Sequence, residues 1–311
     1  MYAAIEAKFA EAVAQKALVF TPSTEVRKRA AHGVEVVYTY APALAQKPTK
    51  SDNDRSAASG GATGGEKPAS PWLPADERLV VERLADHTVV LNKFALAKYH
   101  FLLVTNKFES QDLPLSEEDW AAAMNVLRAA NRESGKRHVG FFNCGPLSGA
   151  SIAHKHIQFM TLPENFAPFP DSAPSPEALQ MSVTDSRVPF LQYITKLPPN
   201  ASVDDVLIHY SELLGRVLTK VSLANPEAVR PQVNYNLVFT EEWIMATPRS
   251  AETTKDGVSI NALGTIGLVL AKTEDQLRVL EQQNFDMLTE VGFPYEELRI
   301  HAPDHTGYTH Y

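Results

Sequence analysis

A single cysteine, Cys144, is the whole thiol complement of the chain. One thiol can form neither an intramolecular disulfide nor a multi-thiolate zinc site, so the expected compartment is a reducing one, cytoplasmic and compatible with the nucleus. Long apolar runs are missing too. Nowhere do about eighteen apolar residues stand together, the length that a membrane span needs. The first twenty residues spread Ile5, Phe9 and Val13 at helical intervals among Glu6, Lys8, Glu11 and Lys16. That stretch has neither the apolar core of a secretory signal nor the arginines of a mitochondrial presequence, and none is expected. Positive charge is in deficit, with 29 Lys and Arg against 37 Asp and Glu for a net charge of −8. An acidic surface repels polyphosphate backbones, which argues against a nucleic-acid polymer as partner and leaves a small anion in a locally basic pocket open.

What is present is ordinary globular material. The 311 residues are 44% hydrophobic and 21% charged, enough for one large domain or two small ones. Two composition breaks divide the chain. Ser51 to Pro71 (SDNDRSAASGGATGGEKPASP) is rich in glycine and serine and is expected to be a mobile loop. Its GGATGGEK is not a phosphate loop, because Glu66 separates the last glycine from the lysine and no apolar strand precedes it. The second break, residues 163–199, holds eight of the 21 prolines. It is expected to cross the surface in extended form between an N-terminal part, 1–162, and a C-terminal part, 200–311. There is no short-period repeat.

Periodicity supplies the elements. Thr88–Phe94 and Phe101–Thr105 predict a strand pair. Ser116 with Asp119 forms a capping box for a helix whose face carries Trp120, Met124 and Leu127 and which Gly135 ends. Phe141–Cys144 and Ile152–Met160 predict strands around the loop Gly145–Ser151. Ser202 with Asp205 caps a second helix, with Val206, Tyr210, Leu213, Val217 and Val221 on its buried face. Tyr235–Thr240 and Trp243–Thr247 predict a hairpin around Glu241-Glu242, and Ile266–Ala271 a further strand. Thr273, with Gln276, caps a last helix that runs to near Gly292. Hairpins alternating with long helices predict an α+β fold, an antiparallel sheet with helices packed on it.

The most informative stretch is NCGPLSGASIAHKHIQ, Asn143 to Gln158. In a strand, alternate side chains share a face, so His154, His156 and Gln158 project together while Ile157 and Phe159 face the core. The small residues of Gly145, Pro146, Gly149 and Ala150 suit a backbone that approaches a phosphate. On the residues alone three readings stand: surface histidines, a His-x-His metal clip, or a histidine nucleophile toward phosphorus. Gln158 is a poor metal ligand, and nothing in the sequence places His301, His305 or His310 near the pair.

His154-Lys155-His156-Ile157-Gln158, with Asn143 and the Gly149-Ala150-Ser151 loop before it, resembles the histidine triad superfamily. More narrowly it is similar to the fungal-type diadenosine tetraphosphate phosphorylases, or ATP adenylyltransferases, in the branch related to galactose-1-phosphate uridylyltransferase. Leu91-Asn92-Lys93-Phe94, Tyr235-Asn236-Leu237, Glu242-Trp243, Pro248-Arg249 and Gly267–Lys272 stand in the family's order, so the resemblance spans nearly the whole chain. It implies a histidine-triad-like fold of two related halves. It also implies phosphorolysis of diadenosine tetraphosphate to ATP and ADP through an adenylyl-histidine, reversible, with adenylyl sulfate as a secondary substrate.

By the same resemblance His156 is the nucleophile, oriented by the backbone carbonyl of His154. Gln158 is an amide that positions phosphoryl oxygens without titrating, which favours transfer to phosphate over hydrolysis. An imidazole with a pKa of about 6.5 is mostly neutral at cytoplasmic pH and needs no separate base. Substrate contacts are implied at Lys47, Asn92, Lys93, Asn143, Gly149, Ala150, Ser151, Ile152, Asn261, Ala262, Leu263, Leu268 and Lys272, with Arg249 a further phosphate contact. Two departures from the pattern stand out: the Gly/Ser insertion directly after Lys47, and Leu268 where the family tends to carry methionine. No cofactor or metal is implied for the chemical step, although a divalent ion such as Mg is compatible with the polyphosphate. A nucleotidyltransferase with another acceptor, such as a sugar-1-phosphate, and a non-catalytic dinucleotide sensor are the alternatives.

Overall fold

The computed structural model describes residues 1–21, 23–29, 33–42, 70–174, 181–228 and 232–295. The expected mobile loop, apart from Ser70 and Pro71, falls outside them, as do Lys47, His301, His305 and His310. The α-helices among the described residues are α1 (Tyr2–Ala14), α2 (Glu117–Ser134), α3 (Val203–Ala224), α4 (Glu274–Gln283) and α5 (Met287–Val291). Both serine capping boxes form: Ser116 and Ser202 each accept from the backbone of the aspartate three residues on, which accepts in return. Gly135 ends α2 at φ 66°, a left-handed cap that glycine adopts without a Cβ penalty. The predicted face of α3 is the buried one, all five side chains included.

The last helix is broken, contrary to expectation. Thr273 Oγ1 does accept from Gln276 N at 3.1 Å, but Gln276 Oε1 takes the amide of Lys272, one residue before the cap. The helix then yields to a 3-10 turn, Asn284–Asp286. There Phe285 turns into the core against Phe169 and Phe190, with ring centroids 6.1 and 5.9 Å away. Burial of that aromatic outweighs continued helix.

Among the described residues the strands are β1 (Val19–Phe20), β2 (Thr24–Arg29), β3 (Glu35–Tyr40), β4 (Val80–Arg83), β5 (His87–Leu91), β6 (Phe94–Ala95), β7 (Phe101–Thr105), β8 (His138–Cys144), β9 (His156–Thr161), β10 (Tyr193–Lys196), β11 (Tyr235–Phe239), β12 (Trp243–Pro248) and β13 (Leu268–Ala271). Eight make one antiparallel sheet in the order β10-β12-β11-β8-β9-β7-β5-β4. It is continuous across the middle of the chain, because β8 pairs with β11 at Asn143↔Asn236. A second sheet, β13-β3-β2, has β13 parallel to β3, and β1 pairs parallel with β6. The strand expected from Ile266 starts at Leu268, since Ile266 closes a 3-10 turn, Ala262–Ile266, that Gly267 ends at φ 93°.

The large sheet has two faces of different character. Ile157, Phe159, Phe101, Phe142 and Phe239 pack against α1, α2 and α3 on one. Gly140 lies between Phe239 and Phe159 in register, and a Cβ there would meet the Phe239 ring at 2.3 Å, so only glycine admits the ring. The other face carries two apolar groups: Val139, Phe141, Val238 and Met245 under the small sheet and α5, and Val80, Val90, Leu102 and Val104 at the β4 end. The proline-rich segment does not simply cross the surface. It supplies the edge strand β10 and buries Phe166, Phe169, Val188 and Phe190 in the core, its prolines flanking the strand rather than interrupting it.

Arg249, expected at a phosphate, is instead an interior tie that is 2% exposed. Its Nε donates to Val291 O, one terminal nitrogen to Ile260 O and Asn236 Oδ1, and the other to Ala251 O and Glu252 O. All five donors are committed, so none remains for a ligand. Burial pushes its pKa down to about 9, still charged at neutral pH. Arg249→Met leaves several buried acceptors unmatched and is expected to lower the unfolding free energy by about 3 kcal/mol or more, read by denaturant titration.

His138 sits on the helical face, fully buried beside Tyr2, and burial drives its pKa down to about 4. Its folded pKa lies below the unfolded value of about 6.5, so stability is intact above pH 6.5 and lost as pH falls from there to 4. That loss is expected to reach roughly 3 kcal/mol. Unfolding titrations across this window should be visibly flatter for His138→Gln than for the parent chain.

Candidate active site

The strand carrying the motif begins later than its alternation suggests, at His156 rather than Ile152. Residues 153–155 are taken by a competing segment: Gln111 N donates to Ala153 O and Lys155 N to Glu109 O, each at 2.8 Å, and Ser110 bridges His154. His156 and Gln158 nevertheless share a face. They lie opposite Val104 and Leu102 on β7, and Gln158 lies opposite Phe141 on β8, between the two apolar groups of that face.

The two histidines have different duties. His154 is fully buried, and its Nε2 lies 3.0 Å from Thr105 O and 3.1 Å from Lys107 O. These acceptors place its proton on Nε2, and Nδ1 accepts from the Ser70 hydroxyl at 2.5 Å. Burial lowers its pKa, which keeps the ring neutral. Both nitrogens are thus engaged, so the pair cannot act as a two-imidazole metal clip. His156 Nδ1 donates to the carbonyl oxygen of His154 at 2.8 Å. That bond assigns the lone pair to Nε2, the nitrogen suited to attack. The Trp72 ring closes over both, 5.1 Å from His156 and 5.5 Å from His154.

Lys155, between them, points to the helical face and is buried against Glu109 (2.7 Å) and Asp119 (3.0 Å). Asp119 also caps α2 and binds His87 Nε2 at 2.8 Å. Burial opposes both charges. The hydrogen bond from His87 still holds the Asp119 carboxyl below its usual range, and the bond to Glu109 holds Lys155 above its own. Lys155 is therefore an anchor of the strand rather than a substrate cation. Burial pushes the Cys144 thiol up to about 12, so it supplies no thiolate at neutral pH.

The glycine loop is drawn toward the C-terminal residues. Asn143 Oδ1 accepts from Asn236 Nδ2 (2.9 Å) and Ala262 N (2.8 Å), and Asn236 Nδ2 also reaches Ser148 O at 2.7 Å. Gly149, at φ 82°, passes so close to the next segment that a Cβ would stand 2.8 Å from Ile260 O. Asn261 caps the 3-10 turn beside it through the amides of Leu263 and Gly264. The motif strand, Asn143, Gly149 and the 261–263 segment are thereby brought together. Ala150 and Ile152 are half-buried and Ser151 is exposed. Elsewhere, Asn92 Oδ1 accepts from Phe94 N and Lys93 is exposed. The register sets Asn92 roughly 13 Å along the strand axis from His156. Leu268 opens β13 beside Val37, and Lys272 follows it, exposed.

Three residues at the site escaped the sequence reading: Gln111, Ser70 and Trp72. None stands in a motif, and their contacts join segments at least 32 residues apart, which no local pattern records. Among the described residues no group of three or more His, Cys, Asp and Glu could hold a metal ion.

Comparison with known proteins identifies the family and the fold. Residues 1–178 match the family described as Ap4A phosphorylase N-terminal domain, and residues 186–294 the ATP adenylyltransferase C-terminal domain. The chain is 33% identical over 281 residues to diadenosine 5',5'''-P1,P4-tetraphosphate phosphorylase 2 of Saccharomyces cerevisiae, covering 82% of this chain and 83% of that protein. It is 34% identical over 225 residues to Protein APA1 of the same yeast, covering 67% and 69%. Crystal structures of yeast Ap4A phosphorylase Apa2 with AMP and with Ap4A each superpose with a TM-score of 0.79 at 28% identity. The AMP complex covers 96% of this chain and 97% of that one, and the Ap4A complex 95% and 98%. The chain belongs to the Ap4A phosphorylase family.

Proposed function

We propose that this protein splits diadenosine tetraphosphate with inorganic phosphate, giving ATP and ADP. The observation that carries the chemistry is the bond from His156 Nδ1 to the His154 carbonyl, which leaves Nε2 as the attacking atom. Nε2 attacks the α-phosphorus, a P–N bond forms, and the bond to the departing polyphosphate oxygen breaks to release ATP. An oxygen of inorganic phosphate then attacks the same phosphorus, the P–N bond breaks, and ADP leaves with the imidazole restored. The dinucleotide and AMP complexes of the yeast relative support an adenylyl-bearing ligand of this kind.

Gln158 lies one step along the same face of the strand and hydrogen-bonds phosphoryl oxygens without exchanging a proton. A departing polyphosphate needs little protonation and an incoming phosphate is already anionic, so an amide suffices for transfer. Water, in contrast, needs a base. The glycine loop, Asn143 and the Asn261–Leu263 segment hold the reacting phosphates, with Ala150, Ser151 and Ile152 beside them. Asn92 and Lys93, and Leu268 and Lys272 from the C-terminal half, serve the rest of a two-ended ligand, with Lys47 supplying further countercharge. The two halves act as one nucleotidyltransferase whose nucleophile comes from the first. Adenylyl sulfate is a secondary substrate, because only the adenylyl group must be held for attack. A divalent cation on the polyphosphate offsets its charge and takes no part in the attack.

The test uses diadenosine tetraphosphate labelled at the α-phosphate, quenched in alkaline denaturant because P–N bonds are acid-labile. Label is expected on His156, turnover is expected to require phosphate, and His156→Ala is expected to carry no label. A protein that binds the dinucleotide without becoming labelled is a sensor, and one that turns over only with a sugar-1-phosphate is a different transferase. Either result contradicts the proposal. Gln158→His restores a titratable group, and its release of AMP without phosphate is expected to rise by about tenfold or more over the parent chain.

A further inference from the structure

The seam between β8 and β9 opens at the nucleophile. Their ladder runs through Val139↔Met160, Gly140↔Phe159 and Phe141↔Gln158, and then stops. Continued in the same register, it would set Asn143 opposite His156. Neither strand has ended there: β8 remains paired with β11 as far as Cys144↔Tyr235, and β9 remains paired with β7 at Val104↔His156. Only this one seam parts.

A side chain fills the opening. Gln111, 1% exposed, donates from Nε2 to Asn143 O at 2.9 Å and accepts at Oε1 from His156 N at 2.7 Å. The same Nε2 lies 3.3 Å from His156 O. These are the backbone groups that a direct rung between Asn143 and His156 would join. The carboxamide thus stands in for a peptide unit and holds the strands apart by roughly its own width. It is itself fixed: its backbone amide donates to Ala153 O, and the adjacent Ser110 bridges His154. On the far side of the opening, Asn143 turns its side chain to Ala262 N and the chain enters the Gly145–Gly149 turn. The separation of β8 from β9 at this level is therefore also the separation of the glycine loop from the His156 ring.

We propose that Gln111 is a positioning residue of adenylyl transfer, its primary amide setting the distance between the nucleophile and the glycine loop. The proposal rests on the adenylyl-histidine reading above. An uncharged amide donates to one strand and accepts from the other without depending on a proton. An ionised carboxylate accepts alone, and would face the carbonyls of Asn143 and His156 with no proton to offer.

The experiment compares the parent chain with Gln111→Glu, Gln111→Met and Gln111→Asn, using the α-labelled dinucleotide in single turnover, normalised to folded protein. Steady-state kcat and KM and the unfolding midpoint are measured beside it. Gln111→Glu and Gln111→Met are expected to adenylylate His156 about tenfold to a hundredfold more slowly, with kcat falling in proportion and KM for the dinucleotide moving by less than about threefold. Gln111→Asn keeps the amide one methylene short, leaves the fewest buried groups unmatched, and is expected to fall between. It carries the test alone if the other two do not fold. Loss of stability alone would lower the folded fraction and leave the rate per folded molecule unchanged. Variants that label His156 within about twofold of the parent rate overturn the proposal while leaving the enzymatic reading intact. A parent chain that takes no label overturns both.

Discussion

His156 Nδ1 and the carbonyl oxygen of His154, 2.8 Å apart, define the site. A neutral imidazole has two tautomers, and only one leaves Nε2 nucleophilic. A backbone carbonyl is a good selector because it only accepts, so the tautomer does not depend on the charge of a neighbouring side chain. It is also rigidly placed. The His154 ring is held by Ser70 at one nitrogen and by the Thr105 and Lys107 carbonyls at the other. The strand between the histidines is fastened through Lys155 to Asp119 and Glu109 on the opposite face. Strand alternation lets one short segment carry reactive groups on one side and their anchors on the other.

The architecture follows from what each face must cover. Three helices bury the apolar side of the sheet that includes Ile157 and Phe159. The opposite side is covered by two apolar groups, and His156 and Gln158 occupy the interval between them. The C-terminal residues reach that interval because β11 pairs with β8, which brings Asn236 beside Asn143 and, through it, Ala262. Arg249 locks the arrangement by tying Asn236 to Ile260 and Val291. This connectivity suits the proposed arrangement, in which the nucleophile comes from the first part of the chain and the second completes the binding wall.

Much of this was legible in the sequence where the governing physics is local. Capping boxes at Ser116 and Ser202, the helical spacing from Val206 to Val221, and the alternation that turns His156 and Gln158 away from Ile157 act over a few residues. What escaped depends on distant partners. The motif strand starts late because residues 109–111 pair with 153–155. The parallel pairing of β13 with β3 joins segments more than 200 residues apart. Arg249 reads equally well as a phosphate ligand or an interior tie until the carbonyls around it are known. Trp72 and Gln111 acquire their roles only once the sheet has formed and its seam has opened.

The orientation of one ring remains the most direct point of attack. Nitrogen-15 NMR of the protein labelled at histidine distinguishes a pyrrole-like from a pyridine-like ring nitrogen in each tautomer. The expected spectrum at neutral pH, before substrate is added, assigns the proton of His156 to Nδ1 and a pyridine-like shift to Nε2. A ring protonated at Nε2, or one averaging freely between the two forms, would contradict the carbonyl's role as selector and with it the assignment of the attacking atom.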